Sequence, residues 1–190
     1  MAAQIDFING VTNRYRSVLH RLDGVDVELD GGSYNKVGGR PGRIPHDIAH
    51  LIVEAELALT TGVWGVLGAG GLFPQSTVIG GRQAPHAAER ARAIVGAAGD
   101  RITQAEILTR VVCDVSRGVL PRASDALRRA VGERWWTDDL TADALERSRT
   151  RLAAAAATWA ALAPGEAFTQ VWALPLDPTL ATARPRRRRR

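Results

Sequence analysis

The sequence predicts an α+β fold, a small antiparallel sheet packed on a bundle of about five or six helices. Three observations predict it. The first thirty or so residues alternate apolar and polar side chains with the period of a strand. From Pro45 onward the apolar residues recur at helical spacing. A short alternating stretch then returns near the C-terminus.

Residues 3–9 (AQIDFIN) and 13–21 (NRYRSVLHR) read as strands. Asp23-Gly24 is a hairpin turn signal. VDVELD, 25–30, sets Val25, Val27 and Leu29 against Asp26, Glu28 and Asp30, the pattern of a half-buried strand. GGSYNKVGGRPGR, 31–43, is a glycine-rich loop. It lacks the spacing of a phosphate-binding loop, and Lys36 is followed by Val37 rather than a hydroxyl residue.

Pro45 suits the first position of a helix, and Asp47 places a carboxylate in its first turn. That helix is predicted to end near Leu59. GVWGVLGAGGLF, 62–73, reads as a short, tightly packed helix, and PQSTVIGGRQAP, 74–85, as a loop. Helices are expected over 85–98, 102–118, 122–133 and 141–163, the last capped by Thr141. EAFTQVWAL, 166–174, is a closing strand able to rejoin the N-terminal sheet. Trp64, Trp159 and Trp172 belong to the core, and Trp135-Trp136 reads as a plug between helices.

The chain of 190 residues is expected to form one globular domain over 1–174, followed by a disordered arginine-rich tail over 175–190. Arg184 and residues 186–190 hold six of the 25 basic residues. The remaining 19 face 20 acidic ones, so the body carries about −1. The +5 of the whole chain is therefore a property of the tail, which can contact polyanions through charge alone. No apolar run is long enough to span a membrane, and no secretory leader is visible, so a cytoplasmic setting is expected. The single cysteine, Cys113, reads as a small buried residue.

The chemistry is concentrated in IPHDIAHLIVEAE, 44–56. With His46 at zero on a helical wheel, His50 falls near about 40°, Glu54 near about 80° and Asp47 near about 100°. Ile48, Leu51, Ile52, Ala55 and Leu59 form the opposite, core-facing side. Val53 and Leu57 flank the polar arc, which predicts that it faces a second packed element rather than open water. Histidines four apart can aim both rings at one point, the spacing used in zinc sites. In the H-D-x-x-H motif His46 and His50 are candidate ligands of a divalent ion, with Zn2+ the expected one. Glu54 is the local choice for third ligand or for a partner that holds a ring nitrogen. His86 is the remote choice, and His20 reads as a sheet-surface residue. Asp47 occupies the place of the general base in H-E-x-x-H metallohydrolases. The other reading of the same residues is a polar network without metal, or a solvated helix face.

GGSYN, PHDIAHLIVEAELAL and GVWGVLGAGGLF together resemble a family of small, mostly actinobacterial proteins of unknown function. These carry a strand hairpin, then P-H-D-x-x-H-x-x-x-E, then a G-x-W-G segment; the resemblance covers roughly residues 25–73. It implies that the histidine pattern is a family feature, and it brings no activity with it. His46, Asp47 and His50 are also similar to the zinc motif of a ubiquinone-biosynthesis protein family. That family places a glutamate twelve positions after the second histidine, where this chain has Gly62, so its function does not carry over. The leading expectation is a divalent-metal-binding protein with hydrolase chemistry, acting on a small molecule or a protein partner. The alternative is a non-enzymatic interaction module in which the H-D-x-x-H helix is a structural polar network.

Overall fold

A computed structural model describes residues 2–32, 36–37 and 43–184. The N-terminal alternation forms three strands of a meander, β1 (Ala3–Asn9), β2 (Tyr15–His20) and β3 (Asp26–Gly32). Gly24 adopts φ +78° in the β2–β3 turn, a conformation that glycine reaches without strain. Two short strands, β4 (Lys36–Val37) and β5 (Ile44–Pro45), pair with each other and lead into α1 (His46–Glu56). Then follow α2 (Val63–Ala69), β6 (Ser76–Gly80), α3 (Ala87–Ala98), α4 (Arg101–Ser116), α5 (Ser124–Val131), α6 (Ala142–Ala161), β7 (Ala167–Trp172) and α7 (Pro178–Ala181).

The fold is α+β. Its main sheet is antiparallel, in the order β6-β3-β2-β1-β7. β7 closes it beside β1, pairing Ala3 with Trp172 and Phe7 with Phe168. Ile5, Phe7, Leu19, Val27 and Leu29 point into the core from one face. Asp6, Arg16, His20 and Glu28 occupy the alternate positions on the other. Trp64 of α2 is fully buried and meets Phe7 edge-on, with ring centroids 5.6 Å apart. Its indole N–H donates to the backbone carbonyl of Asp47 at 3.0 Å. Trp159 and Trp172 are buried as well, and Trp135 and Trp136 pack against the core from a short 3-10 turn. Thr141 caps α6 by accepting from the amide of Ala144 at 3.1 Å.

Two expectations need correction. Residues 74–85 are not wholly loop, because β6 pairs with β3 through Val27–Val78 and Glu28–Thr77. β6 has only two apolar side chains between Pro74 and the Gly80-Gly81 pair, and its stability comes from β3 rather than from its own pattern. Nor is the chain without structure from residue 175. Asp177 caps α7 by accepting from the amide of Thr179, and Leu180 is fully buried with Val66, Ala69, Ile94 and Ala98. The arginines 186–190 lie outside the described residues. No helix among the described residues is long and apolar enough to cross a membrane.

Candidate metal centre

α1 is buried almost all round. Its aliphatic side enters the main core, and its histidine arc turns toward α4. His50 is 1% exposed and His46 is partly buried. Their rings stand 4.5 Å apart at 70°. α4 presents Glu106 and, one turn on, Thr109 to the same place. One ligand atom each from His46, His50 and Glu106 lie within 4.8 Å of one another, so these three residues form a triad able to hold a metal ion.

The tautomer of His50 follows from its partners. Its Nδ1 lies 2.9 Å from Glu54 Oε1, and a carboxylate there requires the nitrogen to donate. The lone pair of the neutral ring is then on Nε2. That atom is buried and has no aligned hydrogen-bond partner among the described residues, yet Glu106 Oε2 is only 3.2 Å away. Two acceptors at that separation repel unless a positive charge lies between them. A tetrahedral ion with bonds of about 2.1 Å sets neighbouring ligand atoms about 3.4 Å apart. His46 Nε2 lies 3.7 Å from the same Glu106 oxygen. The donor set, two imidazoles and one carboxylate, fits a divalent transition ion.

Burial acts to lower the pKa of His50, but Glu106 and Glu54 more than offset it and push it up to about 10. The positive charge that fills the gap is therefore either a proton or a metal ion. Burial, with His50 beside it, lowers the pKa of His46 and favours the neutral ring that a metal requires. The pKa of Glu106 is lowered, chiefly by His50, so it is a carboxylate at neutral pH.

Glu54 takes a supporting place. It accepts from His50, from the amide of Val63 at 2.8 Å and from the amide of Trp64 at 3.0 Å. Both oxygens are thus engaged, one of them twice, and the negative charge sits on the first turn of α2. The cluster able to hold an ion has Glu106 rather than Glu54 as its carboxylate, and of the two places anticipated for Glu54 its contacts match the partner that holds the His50 ring. Gly62 makes this possible, since a Cβ there would lie 2.3 Å from the Glu54 carboxyl carbon. His86 is exposed at the start of α3, paired with Glu89 at 3.6 Å and outside the cluster.

Asp47 is tied to the sheet. Its Oδ2 accepts from the Ser17 hydroxyl at 2.6 Å, and its Oδ1 from the Tyr15 hydroxyl at 3.4 Å. Burial raises its pKa, opposed by Ser17, His50 and Tyr15. Burial beside Asp47 likewise raises the pKa of Tyr15.

Glu106 lies 56 positions after His50 in an ordinary helical stretch, and no local spacing connects the two. Only the packing of α1 on α4 brings them together. Comparison with protein-family models, with curated proteins and with solved structures gives no match to this chain.

Proposed function

We propose that the protein binds one divalent ion, zinc by preference, through His46, His50 and Glu106, and that this ion serves a hydrolytic reaction. One observation carries the reading: the buried Nε2 of His50 faces the Glu106 carboxylate at 3.2 Å with no aligned hydrogen bond between them. Three protein ligands leave a further coordination position open, the arrangement of catalytic rather than structural zinc. The ion would supply Lewis-acid activation of water.

Asp47 is the residue we assign as base. Among the described residues its Oδ1 has only a long contact with Tyr15, and burial raises its affinity for a proton. Ser17 holds the other oxygen and so fixes the carboxylate plane. The actinobacterial pattern that His46–Glu54 resembles would share His46, Asp47 and His50 of this site, whereas Glu106 lies outside it.

A second reading has its own support, because a protonated His50 between Glu54 and Glu106 completes a polar network without metal. Metal analysis of untagged protein separates the two. The metal reading expects about one divalent ion per chain and a rise in melting temperature on zinc addition. No bound metal and no thermal response would leave the network reading. In metal-loaded protein, Asp47→Asn is expected to lower hydrolysis of activated esters by about ten-fold or more while metal content stays the same. Unchanged hydrolysis would remove Asp47 from the role of base.

A further inference from the structure

A cavity of about 420 Å³ opens between the β2–β3 turn, α2 and the segment after β7. None of His46, His50 and Glu106 lines it. The volume lies within the roughly 300–1,000 Å³ of small-molecule sites. Leu72, Val78, Trp172 and Leu174 contribute apolar walls. Leu22 and Leu176, 60% and 51% exposed, are also among its lining residues. Single exposed leucines need no explanation, but two lining one apolar cavity form a patch that a ligand would cover.

Gly68 lines the cavity from α2. At Gly65 a Cβ would collide with the carbonyl oxygen of Thr60 at 1.9 Å, and at Gly71 it would lie 2.5 Å from Val66. Gly68 has no such reason, since the nearest atom to its Cβ position is Trp172 Cδ1 at 3.9 Å. Glycine within a helix is unfavourable relative to alanine. What its absent side chain preserves here is space.

Arg21 supplies the polar group. Its side chain is 13% exposed, and one terminal nitrogen pairs with Asp23. Its Nε is buried and has no hydrogen-bond partner among the described residues. The exposed part of its guanidinium is what an anion in the cavity would meet. Arg90 also lines the cavity and has no ion pair among the described residues. Two arginines against Asp23 leave the lining positive.

We propose that this cavity binds a small organic monoanion with an apolar body, a carboxylate carried on a chain or ring. The carboxylate lies against the guanidinium groups of Arg21 and Arg90, and the apolar part lies against Trp172 over Gly68. The proposal stands on this cavity alone and does not depend on the metal reading.

The test uses full-length protein and 1-anilinonaphthalene-8-sulfonate, an apolar monoanion, displaced by decanoate or by decanol. Decanoate is expected to displace it at a concentration about ten-fold or more below that of decanol, the difference a charged hydrogen bond supplies. Arg21→Gln is expected to erase that preference. Gly68→Leu is expected to abolish displaceable binding of the probe by filling the cavity. Should Gly68→Leu fail to fold, as judged by circular dichroism, the decanoate preference and its loss in Arg21→Gln decide the matter. Absence of displaceable binding, equal potency of the two compounds, or a folded Gly68→Leu protein that still binds would overturn the proposal.

Discussion

His50 is held between two carboxylates that do different work, and the difference is measurable. Glu54 is fully buried and meets three donors, whereas the Glu106 side chain is 48% exposed. Glu54→Gln keeps one acceptor and opposes an amide donor with another donor, which is expected to cost about 1–3 kcal/mol of stability without metal. Glu106→Gln is expected to weaken zinc binding by more than about ten-fold, and to destabilise the metal-free protein through loss of a charge partner of the protonated His50. Urea melts of the metal-free proteins and zinc titrations check both. The reverse pattern would exchange the two roles.

His20 offers a separate residue-scale test. It lies between Asp26 at 2.8 Å and Asp6 at 3.1 Å on the outer face of the sheet. Burial acts to lower its pKa, but hydrogen bonds to the two aspartates keep it above the ordinary value. A raised folded pKa means that this stabilisation is complete below about pH 6.5 and is lost as pH rises through the folded value. Wild type is therefore expected to exceed His20→Gln in melting temperature by more at about pH 5.5 than at about pH 9. A difference that does not change with pH, or that grows with it, contradicts the assignment.

At the scale of elements, α1 shows what a sequence pattern can and cannot carry. Apolar Val53 and Leu57 beside the polar arc implied a packed neighbour, and both are fully buried. The i, i+4 spacing also set His46 beside His50 and His50 beside Glu54. The wheel did not identify the facing element, because α4 places Glu106 among residues with no distinguishing period. Capping at Thr141 and the β2–β3 turn were legible because each depends on chemistry within a few residues. β6 was not, because an edge strand takes its stability from its neighbour. In the sequence Gly62 is the start of a packed segment and the position where the ubiquinone-biosynthesis family has a glutamate, and in the structure it is where α2 meets the Glu54 carboxylate. Gly62→Ala is expected to force these apart at about 1–3 kcal/mol, with zinc affinity falling as the His50 ring loses its support. A neutral thermal melt would show that the contact can relax.

Over the whole molecule, the C-terminal region divides into two parts of different character. Leu180 belongs to a second apolar cluster formed with α2 and α3, and Asp177 ties α7 to Thr60 at 2.9 Å. A short stretch with prolines and few apolar residues gave no periodic signal for this helix, and a single leucine carries most of its burial. Leu180→Ala is expected to cost about 2–5 kcal/mol. Removal of residues 185–190 takes away five arginines and brings the formal charge of the chain to zero. Such a truncation is expected to keep the melting temperature and lose salt-sensitive retention on heparin. Retention by the truncated chain would reveal a basic surface elsewhere.

The claim on which the functional reading depends is the position of one ion. Diffraction from crystals of zinc-loaded protein, measured on both sides of the zinc absorption edge, locates it directly. The account predicts a single anomalous peak between Nε2 of His46, Nε2 of His50 and Oε2 of Glu106, at about 2.0–2.2 Å from each. No peak at that position, or a peak bound by Glu54 instead, would contradict it.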